Sequence, residues 1–281
     1  MLNKNSETFF SCACSYKEAR LVIFGAPYDG TASFRPGARF APKAMRNDSY
    51  ALETYSPYLD KDLADCPIFD SGDPELPFGR PEPALQLIEQ RTAAILADGK
   101  LPVLIGGEHL ISLGALKAAF ARYPDLCALQ FDAHADLRDT YMGEKLSHAT
   151  VLRRAWDMLG DDRIWQFGVR SGEREEFIWA QKHTLLHKFN FEGLDKAIEQ
   201  LQGKPVYFTL DLDVLDPGYL PATGTPEAGG VDFCDLLEAL RKIGDLNIVG
   251  CDMVELCPPL DASGASTALA LKLLRELLLT V

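Results

Sequence analysis

Residues 206–216 read VYFTLDLDVLD, a short apolar run that ends in closely spaced aspartates. Two other stretches have the same form: LCALQFDAHAD at 126–136 and LPVLIGGEH at 101–109. In α/β proteins, ligands bind at the carboxyl ends of parallel strands, so these three acidic or histidine-bearing ends are expected to converge. Burying that many carboxylates is very unfavourable unless a cation compensates them. The pattern therefore predicts a site for divalent metal ions and hydrolytic chemistry.

The rest of the chain alternates short apolar runs with longer segments of helical period. The predicted strands are 21–25, 67–70, 101–105, 126–131, 164–168, 206–212 and 247–253. The predicted helices are 82–97, 110–123, 148–159, 173–182, 191–201, 233–243 and 263–279. Near-continuous apolar strands are typical of a sheet covered on both faces, and the alternation favours parallel pairing. We expect one domain over 1–281, a three-layer α/β/α sandwich with a mostly parallel central sheet.

The composition limits the class of partner. The 281 residues are 47% hydrophobic and 25% charged, an ordinary globular balance, and carry a formal net charge of −13. That charge argues against a nucleic-acid partner and modestly favours a cationic substrate. The sequence shows neither a signal-peptide pattern nor an apolar run long enough to cross a membrane. With seven cysteines that are expected to stay reduced, the chain is predicted to be cytoplasmic and not to bind membranes.

Six side chains are the candidate metal ligands: His109, Asp132, His134, Asp136, Asp211 and Asp213. Residues two apart at a strand end project from the same face, which groups Asp211 with Asp213. A set of four carboxylates and two imidazoles without a thiolate suits manganese better than a structural zinc. Any one of these aspartates, Asp136 for example, has an alternative interpretation as a helix cap, but six ionisable groups cannot all be caps.

These motifs resemble those of the ureohydrolase (arginase/agmatinase) family, and bacterial agmatinases more than arginases. The resemblance covers most of the chain, including residues 25–30 and 35–39. Its main motifs are GGEH at 106–109, DAHAD at 132–136, TLDLDVLDPGYLPATGTPEAGG at 209–230 and CDMVEL at 251–256. It implies an arginase-type fold, a homo-oligomer (trimer or hexamer) and two Mn²⁺ ions per chain.

The resemblance also implies a division of the ligands between the two ions. One ion would be held by His109, Asp132, Asp136 and Asp211. The other would be held by Asp132, His134, Asp211 and Asp213. Asp132 and Asp211 would then bridge the two ions. Asp136 would also be catalytic, because in the family's pattern it takes the proton of the attacking hydroxide.

Four further residues acquire roles from the resemblance. His148 would carry protons between solvent and the leaving amine, and Glu255 would bind the guanidinium of the substrate. Asp252 would support His109 from outside the ligand set. Thr225 would line the substrate pocket, although a role as a turn residue in a Gly/Pro-rich segment is nearly as well supported.

The implied reaction is hydrolysis of a small cationic guanidino compound to urea and an amine. We expect agmatine, giving putrescine for polyamine biosynthesis, because the loop 137–147 does not have the composition rich in Asn, Thr and Ser that the arginine-binding loop of arginases has. Asp139 or Glu144 would receive the ammonium of agmatine. Arg138 complicates this expectation: it pairs with Glu144, faces outward, or points inward to a carboxylate-tailed substrate.

The alternatives at this point are another guanidino substrate (guanidinobutyrate, carboxyaminopropylagmatine or arginine) or a non-catalytic family member that binds a polyamine-pathway partner. A further alternative is the related deacetylase fold, which uses one zinc ion. Metal stoichiometry and urea release distinguish them.

Overall fold

Eight parallel strands form the central sheet of the computed structural model, which describes residues 7–281; the first six residues of the predicted domain lie outside the described part. The strands are β1 Leu21–Gly25, β2 Tyr55–Ser56, β3 Lys61–Asp62, β4 Ile68–Asp70, β5 Leu101–Ile105, β6 Cys127–Phe131, β7 Ile164–Val169, β8 Leu185–Lys188, β9 Pro205–Asp211 and β10 Asn247–Val254. The sheet has the order β4-β1-β5-β10-β9-β6-β7-β8, while β2 and β3 form a separate antiparallel pair. The predicted parallel sheet is confirmed.

Helices cover both faces of the sheet. They are α1 Ala41–Ser49, α2 Pro81–Ala97, α3 Ser112–Arg122, α4 Val151–Leu159, α5 Arg174–His183, α6 Leu194–Leu201, α7 Phe233–Lys242 and α8 Ala265–Thr280. Successive residues of β1 belong to different cores. Ile23 is part of the core that includes residues of α1, α6, α7 and α8, whereas Val22 is part of the core that includes residues of α2, α3, α4 and α5. Two apolar cores on opposite faces of one sheet are the three-layer α/β/α architecture that the sequence predicted.

Several elements differ from the sequence prediction. The edge strand β8 was not predicted, because its residues are half-buried and lack a continuous apolar run. The short helix α1 and the β2–β3 pair were also missed. Helix α4 begins at Val151, since the predicted start at His148 is a 3₁₀ turn over His148–Thr150. Helix α6 begins at Leu194 rather than at residue 191, after Gly193 with a φ of 89°.

The order of the strands determines where the motifs meet. Strands β5, β10, β9 and β6 are neighbours at the centre of the sheet, and all point the same way. The turn after β5 passes very close to the chain after β1: a side chain at Gly107 would collide with the carbonyl oxygens of Ala26 and Tyr28. Glycine at this position therefore lets residues 108–109 approach the other strand ends. Within residues 7–281, no helix has the length and apolar character needed to cross a membrane.

Candidate active site

His109 lies at the centre of the first group of candidate ligands. Its Nδ1 is 3.0 Å from Asp132 Oδ2, 3.0 Å from Asp136 Oδ2 and 3.4 Å from Asp211 Oδ2. All four side chains are buried. Strands β5, β6 and β9 supply them from their carboxyl ends, so this convergence follows from the parallel sheet.

A second group lies beside the first and shares Asp132 with it. His134 Nδ1 is 2.9 Å from Asp213 Oδ2 and 3.7 Å from Asp132 Oδ1. The ligand atoms of His109, Asp132 and Asp211 lie within 4.8 Å of one another, as do those of Asp132, His134 and Asp213. Two adjacent groups with one common carboxylate have the arrangement expected of a binuclear metal centre.

The hydrogen bonds behind His109 make its Nδ1 suitable for binding a metal ion. Thr209 donates its hydroxyl proton to Asp252 Oδ1 at 2.5 Å, so Thr209 Oγ1 accepts from His109 Nε2, 2.9 Å away. In a neutral imidazole this leaves a lone pair on Nδ1, which faces carboxylates. Both Nδ1 of His109 and Oδ2 of Asp213 are buried without a hydrogen-bond partner. One of these atoms belongs to each ligand group, and each is available to bind a divalent cation.

The pKa values of the clustered carboxylates also indicate that positive charge must be added to this site. Burial raises the pKa of Asp211 well above its usual value, and Asp213 and Asp132 raise it further by repulsion. Burial, with the charge of Asp132, raises the pKa of Asp136 to about 7. Burial also acts to raise the pKa of Asp132, but His109 and His134 outweigh it and hold that pKa below the usual range. The carboxylates cannot all remain ionised unless added positive charge compensates them.

The support of His109 by Asp252 passes through another residue. Asp252 accepts hydrogen bonds from Thr209 and, at 2.9 Å, from the hydroxyl of Tyr207, and it reaches His109 through Thr209. Neither Thr209 nor Tyr207 was singled out from the sequence. The strand period would have identified them, since residues 207, 209 and 211 of β9 share one face.

The metal-ligand groups open into a cavity of about 460 Å³. Its lining includes the sequence-predicted substrate residues His148, Glu255 and Thr225. It also includes Arg138, for which an inward position was one of the alternatives, and the carboxylates of Glu176 and Glu227, which sequence reasoning did not place there. The lining includes Ser33, Phe34, His109, His134, Asp136, Arg138, Tyr141, His148, Ser171, Glu176, Asp211, Asp213, Thr225, Glu227 and Glu255. A cavity with many acids and one arginine suits a cationic ligand.

His148 lines the cavity and is fixed by the chain after β1. Its backbone N–H donates to Thr31 Oγ1 at 3.1 Å, and its ring packs edge-on against Tyr141 with 5.6 Å between centroids. Thr31 donates in turn to the buried Glu108 at 2.6 Å. Burial, with the positive charge of His134 nearby, lowers the pKa of His148 to about 4. At neutral pH its imidazole is therefore an uncharged proton acceptor.

Glu255 follows β10 with a left-handed backbone, φ 65°, which an L-residue rarely adopts. Two hydrogen bonds maintain this conformation: Glu255 N donates to Gly107 O at 2.9 Å, and Oε1 accepts from the His109 N–H at 2.7 Å. Burial and the nearby Glu108 raise the pKa of Glu255 well above the usual value. A cation bound beside Glu255 would favour the ionised carboxylate again, and a guanidinium is such a cation.

The loop after the DAHAD motif differs from expectation. Arg138 pairs with Glu173 at 3.2 Å and with Glu176 at 3.4 Å, and not with Glu144. The predicted ammonium acceptors are outside the cavity lining: Asp139 pairs with Arg154 at 2.8 Å, and Glu144 is exposed. Their sequence proximity to the ligands was misleading, because residues 139–140 and 142–145 are exposed.

Glu227 is an acidic residue of the cavity that the sequence analysis missed. Its side chain is 43% exposed, and its Oε1 accepts from Ser171 Oγ at 2.9 Å and lies 3.9 Å from His134 Nε2. The carbonyl oxygen of Glu227 accepts from the Arg170 guanidinium at 2.8 Å, which fixes the backbone of the loop. Glu227 could have been identified from the sequence because it lies within the motif at 209–230.

Comparisons with known proteins agree with this geometry. A family model described as the Arginase family matches residues 19–280. The chain is 44% identical over 279 residues to a protein named agmatinase from Bacillus subtilis, covering 98% of this chain and 96% of that protein. It is 35% identical to a guanidinobutyrase from Pseudomonas aeruginosa, covering 92% of this chain and 85% of that protein. The crystal structure of the agmatine ureohydrolase of Thermoplasma volcanium superposes with a TM-score of 0.90 at 36% identity, covering 98% of this chain and 94% of that chain.

Proposed function

This chain belongs to the arginase family, and from that premise we propose that it hydrolyses agmatine to putrescine and urea. The observation that carries the proposal is the sharing of Asp132 by two adjacent ligand groups that open into the cavity containing Glu255. The agmatinases among its relatives support the choice of agmatine over other guanidino compounds.

The proposed cofactor is a pair of Mn²⁺ ions. His109, Asp132, Asp136 and Asp211 would hold one, and Asp132, His134, Asp211 and Asp213 the other. Carboxylate and imidazole ligands without thiolate favour manganese over a structural zinc. When bound, two such ions lower the pKa of water and so supply a nucleophile at neutral pH.

The substrate is proposed to lie with its guanidinium against Glu255. A carboxylate accepts paired N–H donors from that planar cation, and the hydrogen bond from His109 N to Oε1 fixes the direction of the Glu255 carboxylate. Thr225 would contact the guanidinium from the adjacent loop. The ammonium of agmatine would face Glu227, which is more exposed than the carboxylates at the base of the cavity.

Two residues are proposed to move protons. Asp136 takes a proton from the attacking water at the base of the cavity and passes it on to the leaving amine. His148, uncharged at neutral pH, takes up a proton from solvent and delivers it to the same amine. General acid–base assistance of this kind contributes about 10²–10⁴-fold in rate.

A carboxylate-tailed guanidine such as guanidinobutyrate is the second candidate substrate. The observation that favours it is Arg138, which lines the cavity, together with the guanidinobutyrase among the relatives. Against it, Glu173 and Glu176 already neutralise Arg138.

Urea release by the Mn²⁺-loaded protein tests the proposal, with agmatine, arginine, guanidinobutyrate and guanidinopropionate as substrates. We expect the highest kcat/KM with agmatine. A higher value with guanidinobutyrate would select the second candidate. No urea from any of them, with two ions bound, would indicate a non-catalytic member, and a single tightly held zinc would reject the binuclear site.

Three further properties are part of the proposal. The chain is expected to act as a single domain, to assemble as a homo-oligomer (trimer or hexamer) and to work in the cytoplasm. Size-exclusion chromatography with light scattering measures the assembly.

A further inference from the structure

A row of buried amides crosses the sheet beside the metal-ligand groups. Gln130 on β6 and Gln166 on β7 are paired in the strand register, and both are fully buried. The neighbouring register pairs, Leu129 with Trp165 and Phe131 with Phe167, are apolar. Two uncharged amides in such a sheet cost desolvation energy that an apolar pair would avoid, so their presence calls for an explanation.

The hydrogen bonds of this row run in one direction. Thr184 Oγ1 donates to Gln166 Oε1 at 3.0 Å, and Gln166 Nε2 donates to Gln130 Oε1 at 2.6 Å. Gln130 Nε2 then donates to Asp132 Oδ2 at 2.5 Å. A carboxylate accepts only, and each amide oxygen is occupied by the preceding donor, so the orientation of both amides is determined by the chain itself.

The same amides also hold the turn that carries the ligands. Gln166 Nε2 donates to Ala135 O at 2.8 Å, within the segment that supplies Asp132, His134 and Asp136. The row therefore fixes both the carboxylate shared by the two ligand groups and the backbone beside it.

We propose that Gln130 and Gln166, with Thr184, form an amide ladder that positions Asp132 for two metal ions. The inference rests on the proposed binuclear site and names positioning residues, which would not touch substrate. Because Asp132 belongs to both ligand groups, weakening the ladder lowers the affinity for both ions. Outer hydrogen-bond partners of metal ligands typically change metal affinity by about 10–100-fold.

Calorimetric titration of the folded, metal-free protein with Mn²⁺ alone tests the ladder. Gln130→Leu should weaken both binding events by about 10–100-fold. Gln166→Leu and Thr184→Val should weaken them in the same direction by smaller factors, because each is one bond further from Asp132. Excess Mn²⁺ should restore the kcat of these variants.

Thr92→Val is the matched control, since Thr92 lies fully buried on α2 outside the ladder and its Oγ1 has no hydrogen-bond partner. Asp132→Ala is the second control, and it should lose the binding of both Mn²⁺ ions. If Gln130→Leu does not fold, Thr184→Val carries the test, because it removes one hydroxyl from a half-buried position.

The outcomes separate the ladder from the proposed function. Mn²⁺ affinities of the ladder variants equal to that of Thr92→Val, with wild type binding two ions, would overturn the ladder alone. A wild type that binds no Mn²⁺, like Asp132→Ala, would instead reject the metal site.

Discussion

His109 and Thr209 lie 2.9 Å apart through Nε2 and Oγ1, and the hydroxyl of Thr209 is already committed as a donor to Asp252. In the neutral imidazole that a metal ligand requires, this relationship places the proton on Nε2. It leaves the Nδ1 lone pair directed at the carboxylates of the first ligand group. The buried hydroxyl of Thr209 thus links the carboxylate of Asp252 to the orientation of His109, the proposed metal ligand.

Thr209→Val should therefore weaken Mn²⁺ binding to the His109 group by about 10–100-fold, because the variant keeps the shape of the side chain but removes the acceptor. Binding at the His134 group should change less. Metal content after graded dialysis against a chelator measures both. Thr209→Ser, which retains the hydroxyl, is the control and should behave as wild type. Equal metal retention in the Val and Ser variants would show that the tautomer is set elsewhere.

His148→Ala should lower kcat by about 10²–10⁴-fold while leaving metal content intact, because a proton carrier is not a ligand. Small basic buffers such as imidazole should restore part of the rate. The measurement is urea release at saturating agmatine with metal analysis of the same sample. Loss of metal in this variant would mean that His148 supports the metal site instead.

The low pKa of His148 makes a separate prediction about stability. Burial lowers that pKa to about 4 in the folded state, against about 6.5 in an unfolded chain. The unfolded state therefore binds more protons between these values. The contribution of neutral His148 to the free energy of unfolding is complete above pH 6.5 and is lost as the pH falls toward 4.

In metal-free protein, the free energy of unfolding of His148→Ala should consequently fall less steeply than that of wild type between pH 6.5 and 4. The difference in slope is at most about 1.4 kcal/mol per pH unit. Urea unfolding at several pH values measures it, and parallel curves for the two proteins would contradict the lowered pKa.

Glu255→Gln should keep both metal ions yet reduce kcat/KM for agmatine by at least about tenfold, the lower range expected for losing a charged hydrogen-bond partner. The amide oxygen can still accept from His109 N, so its –NH₂ group would face the donors of the guanidinium. Steady-state kinetics with metal analysis test this. A variant with wild-type kcat/KM would remove Glu255 from substrate binding.

The sequence was sufficient to predict that the candidate ligands lie at one edge of the sheet, because that depends only on strand direction. His109, Asp132 and Asp211 follow three apolar runs, and parallel pairing places such ends at the same edge. Their close approach also requires the central positions of β5, β9 and β6, which the sequence did not predict. Strand β8 was not predictable in the same way. It is a short, half-buried edge strand whose place depends on pairing with β7 rather than on its own pattern.

Relationships between side chains on different strands were also beyond sequence reasoning. The pairing of Gln130 with Gln166 requires the register of β6 and β7, and single-sequence patterns do not fix register. The partners of Arg138 come from the start of α5, far along the chain, so the ion pair with Glu173 had no local signal.

Arg138 provides the last prediction, which concerns the tail of the substrate. Its guanidinium is paired with Glu173 and Glu176 and lies 4.6 Å from the centroid of the Tyr141 ring, so little of its charge is available to a ligand. If agmatine is the substrate, Arg138→Ala should leave its KM unchanged or lower it, because the change removes a cation from the cavity and releases two carboxylates. The KM for guanidinobutyrate should rise in the same variant. Urea release with both substrates measures the two effects, and Arg153→Ala, an arginine over the Trp179 ring outside the cavity lining, controls for removal of a cation–π contact. A collapse of agmatine turnover in Arg138→Ala, together with faster turnover of guanidinobutyrate by wild type, would reject agmatine in favour of an acidic substrate.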